Sequence, residues 1–141
     1  MTQGPGKTGA GKTRRVLIVE DSPAMRELLS FAVRRFRDVV LEEAEDGVAA
    51  LKALKTSQAQ PFDVVLLDIN MPVMDGMKLL GRLRDDPTFA HTTVCVITTD
   101  ESSETETRAR ALGAKYFVRK PVNRRHIERM LADVFGAPAH D

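Results

Sequence analysis

Asp68 closes the apolar run Val64–Leu67, and a carboxylate placed there needs a compensating charge. Polar groups also follow the other apolar runs: Glu20 and Asp21 after VLIV (16–19), Thr98 and Thr99 after VCVI (94–97), and Arg119, Lys120 and Pro121 after YFV (116–118). Taken singly, an acid after a strand serves as a turn or helix cap. Taken together, these residues describe one site. Carboxylates gathered at one sheet edge repel, a pair at about 4 Å costing on the order of 4 kcal/mol at an effective dielectric near 20, so a cation must join them. An all-oxygen site with room for water and phosphate oxygens suits Mg2+, or Mn2+ in its place. With a metal held by Asp21, an ionised Asp68 can attack phosphorus without a general base, while Thr98 supplies a hydroxyl and Lys120 a mobile positive charge.

The elements that must position these groups follow from periodicity. Strand-length apolar runs occur at 16–19, 39–41, 64–67, 94–97 and 116–118. Between them lie stretches of helical period. Met25, Leu28, Leu29, Ala32, Val33 and Phe36 share one face of a first helix, with Ser22 as its cap and Pro23 in its first turn. Val48, Leu51 and Leu54 mark a second helix after Gly47, and Met77, Leu80 and Leu83 a third after Asp75 and Gly76. A fourth is weakly apolar, with Ser103 and Glu106 as a capping box and Gly113 as its stop. The fifth opens at Asn123, buries Ile127, Met130, Leu131, Val134 and Phe135, and ends at Gly136. Strand and helix alternating five times give an α/β protein whose parallel sheet is covered on both faces. In such sheets ligands bind beyond the carboxyl ends of the strands, where these polar residues fall.

Composition narrows the class. A chain of 141 residues, 43% hydrophobic and 29% charged, suits one soluble domain. No apolar run reaches the roughly 18 residues of a membrane span, and the N-terminus lacks a signal core, which points to the cytoplasm. A net charge of +1 gives no reason to coat nucleic acid or membrane, although residues 115–129 hold six Lys or Arg against one Glu. Arg124, Arg125, His126 and Arg129 lie there without a nucleic-acid reading module and form a solvated or protein-docking face. Residues 42–46, EEAED, read as solvated acid around a strand end. Cys95 lies within an apolar run as a buried, inert thiol, and His91, His126 and His140 show no metal-ligand spacing.

The strings VLIVED (16–21), EEAEDGVAAL (42–51), LLDINMPVMDG (66–76), VITTD (96–100) and KYFVRKP (115–121) occur in this order. Through them residues 14–135 resemble the CheY-like receiver domain of two-component response regulators. The resemblance implies a flavodoxin-like (βα)5 fold, a doubly wound five-stranded parallel sheet in the order 2-1-3-4-5. Residues 1–13, Gly, Thr and Lys with almost nothing to bury, read as a flexible basic tail before a receiver domain (14–136) and a short C-terminal tail (137–141). The resemblance implies that Asp68 is the phosphoacceptor, with Asp21, Glu20 through water, Asp68 and the backbone carbonyl of Asn70 around the metal. Lys120 should contact the phosphoryl group, Thr98 should swing toward it, and Phe117 should turn inward behind Thr98. A cis bond between Lys120 and Pro121 is also implied.

On that reading the chain is a stand-alone, monomeric or weakly dimeric signalling protein. It is not an enzyme beyond its own phosphorylation and dephosphorylation. Its phosphate comes from a sensor histidine kinase or phosphotransfer protein, and a downstream effector docks on residues 100–131. The alternative output is a phosphorelay shuttle to a histidine phosphotransfer protein. Several positions depart from the chemotaxis pattern: Glu20 replaces Asp, Phe117 replaces the frequent Tyr, Thr99 is large, and Asp100 adds charge at the site mouth.

Two rival readings carry different chemistry. GKTGAGKT (6–13) matches a nucleotide-binding P-loop, but the pattern needs a strand before it and a helix after it, and here a strand follows. A haloacid-dehalogenase-like phosphatase also uses a strand-end aspartate, but places a second acid two residues on, where this chain has Asn70.

Overall fold

The structure is a computed structural model in which residues 13–70 and 76–136 are described. Along them run β1 (Arg14–Val19), α1 (Pro23–Val33), β2 (Val39–Ala44), α2 (Gly47–Thr56), β3 (Val64–Asp68) and α3 (Gly76–Asp85). A 3-10 turn, Pro87–Phe89, leads into β4 (Thr93–Thr98), α4 (Ser103–Ala111), β5 (Tyr116–Arg119) and α5 (Arg124–Phe135). The strands form one parallel sheet in the order β2-β1-β3-β4-β5, a flavodoxin-like arrangement. The tails at 1–12 and 137–141, His140, and Asp75 lie outside the described residues.

The continuous apolar runs reflect burial on both faces. Leu17, Val19, Val65, Leu67, Val94 and Val96 pack with Leu54, Leu80 and Leu83 of α2 and α3. The alternate residues Val16, Ile18, Val64, Leu66, Cys95 and Ile97 pack with Leu29 of α1 and with Ile127 and Leu131 of α5. Each fully buried Leu or Ile contributes roughly 1.5–3 kcal/mol. By this measure α5, which buries Ile127, Met130, Leu131 and Phe135, is firmly seated, whereas α4 buries only Ala109. Polar contacts at its ends must therefore fix α4.

The helix ends follow the expected chemistry in most places. Ser22 Oγ accepts from the Met25 N–H at 3.3 Å, and Asn123 Oδ1 accepts from the His126 N–H at 2.8 Å. Gly113 and Gly136 adopt φ of 102° and 88°, the left-handed region that favours glycine after a helix.

Two expectations need correction. Ser103 does not cap α4 but is its first helical residue; Ser102 Oγ accepts from the N–H groups of Glu104 and Thr105 at 3.1 and 3.3 Å. The reason lies upstream, where Asp100 Oδ1 accepts from the Ser102 N–H at 2.8 Å and holds Ser102 extended. Glu106 then pairs with Arg110 and Arg119, both at 3.0 Å, and closes no capping box. Residues 42–46 are more than solvated acid: Glu42 pairs with Arg15 at 2.9 Å, Glu43 with Arg26 at 3.4 Å, and Asp46 caps α2.

Among the described residues no helix is long and apolar enough to cross a membrane. The strand β1 begins directly after Thr13, so no helix follows the GKTGAGKT segment. The helix required of a working P-loop is therefore missing.

Candidate functional site

Sheet register assembles the site. Val19 pairs with Leu67, Asp68 with Ile97, and Thr98 with Arg119, so the residues that end β1, β3, β4 and β5 arrive side by side. Glu20, Asp21 and Asp68 bring one carboxylate oxygen each within 4.8 Å of one another. Glu20 and Asp68 are only 1% and 4% exposed, whereas Asp21 faces solvent. The sheet thus supplies a buried pair of acids beneath an open one.

Lys120 answers part of this charge. Its ammonium lies 3.0 Å from Glu20 Oε1 and 3.4 Å from Asp68 Oδ2. Burial pulls the Lys120 pKa down, but the close pairing with Glu20 and the charge of Asp68 outweigh it and raise the pKa above the usual lysine value. Burial likewise pushes the Glu20 carboxyl above its ordinary range, against the Ser22 N–H and Lys120 that favour its ionised form. Glu20 Oε1 meets Lys120 as an ion pair without hydrogen-bond geometry, and so remains a buried oxygen with spare capacity. The Lys120–Pro121 bond is cis, as the resemblance implied.

The remaining contacts fix the acids from several directions. Glu20 Oε2 accepts from the Ser22 N–H at 3.1 Å, and the Glu20 carbonyl accepts from the Arg26 guanidinium at 2.8 Å. Asp68 Oδ1 accepts from the Asn70 N–H at 2.8 Å. The Asn70 side chain donates to the hydroxyls of Thr98 at 2.8 Å and Thr99 at 3.2 Å. Sequence reasoning singled out only the backbone carbonyl of Asn70. The side-chain link depends on β3 lying beside β4, which no local signal reveals. Arg26 was also missed; six residues after Glu20, in the first turn of α1, a basic residue near an acid was the available hint.

Gly76 is a further structural requirement. A Cβ built there would lie 2.4 Å from Ile69 Cα and 3.0 Å from the Asp68 carbonyl oxygen, so α3 can start this close to β3 only with glycine.

Thr98 is fully buried, while Phe117 is half-buried with the Arg119 guanidinium over its ring at 5.2 Å. Away from the site, Cys95 is buried and its thiol is pushed up to about 12 by burial, against a smaller pull from Lys115. That agrees with an inert thiol. His91 and His126 are exposed, as are Arg124, Arg125 and Arg129.

Comparison with known proteins agrees with the fold. A family model described as "Response regulator receiver domain" matches residues 16–132. The chain is 32% identical over 124 residues to the chemotaxis protein CheY-3 of Vibrio cholerae, an alignment covering 88% of this chain and 93% of that one. Among solved structures, the chemotaxis response regulator CheY4 of Vibrio cholerae superimposes with a TM-score of 0.76 at 30% identity, covering 86% of this chain and 98% of that one. The Mn(2+)-bound form of response regulator Rcp1, at 22% identity and a TM-score of 0.78 over 91% of this chain and 99% of that one, shares the fold. With the family model spanning nearly the whole sheet and each strand end carrying its polar group, the chain belongs to the response regulator receiver domains.

Proposed function

We propose that this receiver accepts a phosphoryl group on Asp68 from a phosphohistidine of a sensor histidine kinase or phosphotransfer protein, and changes its partner-binding surface as a result. The observation that supports this reading best is the placement of Asp68. It is buried at the end of the central strand β3, with two further carboxylates within 4.8 Å and an ammonium 3.4 Å away. A core carboxylate adds nothing to packing, so such crowding is a cost that function must justify.

The donor set fits a divalent cation. The three carboxylates exceed the single charge of Lys120, Glu20 Oε1 has spare capacity, and Asp21 opens to solvent, from which water can complete a hard-ion shell. Asp21, Glu20 through water, Asp68 and the Asn70 carbonyl would hold Mg2+ or Mn2+. When bound, the ion neutralises charge on phosphoryl oxygens.

In the transfer, an Asp68 carboxylate oxygen forms a bond to phosphorus as the phosphorus–nitrogen bond of the donor imidazole breaks. The bonding pair stays on that nitrogen, which then takes a proton from solvent. Lys120 steadies the incoming charge, and Thr98 offers its hydroxyl hydrogen to a phosphoryl oxygen. The phosphoryl group adds about −1.5 to −2 charges. This biases residues 100–131, with Phe117 turning inward, toward the form a downstream protein recognises. The setting proposed is the cytoplasm.

Incubation with magnesium and acetyl phosphate, followed by intact mass, tests the reading. A gain of one phosphoryl unit in the wild-type chain, lost with EDTA and in Asp68→Asn, is expected. An equal gain in Asp68→Asn would overturn it.

A further inference from the structure

Asp100 joins the buried Thr98 hydroxyl to the first turn of α4. Its N–H donates to Thr98 Oγ1 at 3.1 Å, its Oδ1 accepts from the Ser102 N–H at 2.8 Å, and its Oδ2 accepts from the Thr105 hydroxyl at 2.6 Å. Ser102 in turn caps α4 through the N–H groups of Glu104 and Thr105. Thr98 Oγ1 also accepts from the Asn70 side chain at 2.8 Å, so both of its lone pairs are engaged and only its hydrogen is uncommitted.

The rest of α4 offers little purchase. Ala109 is its one fully buried residue, and its further ties are the Glu106 pair to Arg119 on β5 and the Arg110 guanidinium, which donates to the Lys115 carbonyl at 3.3 Å. The N-terminal tie through Asp100 therefore carries much of the positioning of the helix. The Thr105 and Ser102 hydrogen bonds also hold the Asp100 carboxyl below its usual pKa, so it is ionised at neutral pH.

We propose that Asp100 is a positioning residue that fastens α4 to the Thr98 hydroxyl, its backbone N–H on Thr98 and its carboxylate on Ser102 and Thr105, so that displacement of this hydroxyl loosens the first turn of the helix. Movement of Thr98 toward an anionic phosphoryl oxygen weakens the bond it receives from Asp100. The added negative charge repels the Asp100 carboxylate in the same direction. Both effects act on one residue that also organises the Ser102 cap. This inference rests on the proposed phosphorylation of Asp68, but the bond network itself exists without it.

Amide hydrogen exchange at Asp100, Ser102, Glu104 and Thr105 tests the link. In unphosphorylated protein, Thr98→Val should speed exchange at these four amides by about fivefold, the loss of one capping interaction. Thr105→Val keeps a β-branched residue of similar helix propensity and should give a similar effect at Ser102, Glu104 and Thr105. The double variant should exchange no faster than the singles, because the contacts act in series. Asp100→Asn can still accept from Ser102 and can donate to Thr105, and should retain the wild-type pattern; Asp100→Ala should not.

Treatment of the wild-type chain with magnesium and acetyl phosphate should reproduce the acceleration, with little further change in Thr105→Val. Unchanged exchange at Ser102 to Thr105 in Thr98→Val would overturn the link without involving phosphate. A phosphoryl mass gain with no acceleration in wild type, or with an acceleration undiminished in Thr105→Val, would overturn it while leaving phosphorylation of Asp68 intact. Absence of the mass gain in wild type overturns the Asp68 reading, and the Thr98→Val comparison still decides the network.

Discussion

The Lys120 ammonium lies closer to Glu20 on β1, at 3.0 Å, than to Asp68 on β3, at 3.4 Å. One cation from β5 thus bridges two buried acids of the central strands. Lys120→Met leaves both acids uncompensated and should lower the stability of the metal-free protein by about 1–3 kcal/mol at neutral pH. This is less than a fully buried pair loses, because the site mouth is open. The Lys120 contribution is present below the ordinary lysine pKa of 10.5 and is lost as pH rises through its raised folded value. Urea denaturation in EDTA measures the loss, and an unchanged midpoint would show that desolvation cancels the pair.

Gly76→Ala should destabilise the fold by about 1–3 kcal/mol, the usual cost of forced overpacking. The new methyl would meet the backbone of Ile69, which cannot step aside as a flexible side chain can. Because the displaced backbone is that of Ile69 and Asp68, acetyl-phosphate labelling should slow as well. A denaturation curve and a labelling time course that both match wild type would contradict the close approach.

Cys95 should resist alkylation in the native protein at pH 8 and react once urea unfolds the chain. Its folded pKa of about 12 exceeds the ordinary 9.0 because the thiol is buried. Between these values the unfolded chain has released the proton and the folded chain has not, so unfolding releases protons and stability falls as pH rises. Cys95→Ala should flatten that alkaline slope. Rapid native labelling would be inconsistent with the buried thiol.

Ser102→Ala should cost about 1 kcal/mol, the usual cost of losing a helix cap, whereas Ser103→Ala should stay within about 0.5 kcal/mol. Thermal denaturation of the two variants under one condition separates them. Equal losses would place the cap elsewhere.

The serine pair also shows what sequence could and could not convey. The inner strands were legible because they are buried on both faces, and Val16–Val19 and Val64–Leu67 therefore announce themselves as continuous apolar runs. Asp68, Glu20, Asp21, Thr98 and Lys120 were legible because polar residues at the ends of apolar strands are conspicuous. Ser102 and Ser103 are adjacent and chemically identical, and the Ser103–Glu106 spacing imitates a capping box. The choice was made by Asp100, whose carboxyl reaches the Ser102 N–H, and by Arg119 on β5, which draws Glu106 away. The Asn70 side chain and the Glu42 and Glu43 pairs were hidden for the same reason: their partners belong to neighbouring strands or helices.

Because the polar groups of the site are delivered by the ends of four strands, β1, β3, β4 and β5, the chemistry cannot precede assembly of the sheet. A nascent or truncated copy ending before β5 would hold all its acids and lack their ammonium. Such fragments should take up no phosphoryl group from acetyl phosphate, so half-made copies would not compete with finished ones for a donor.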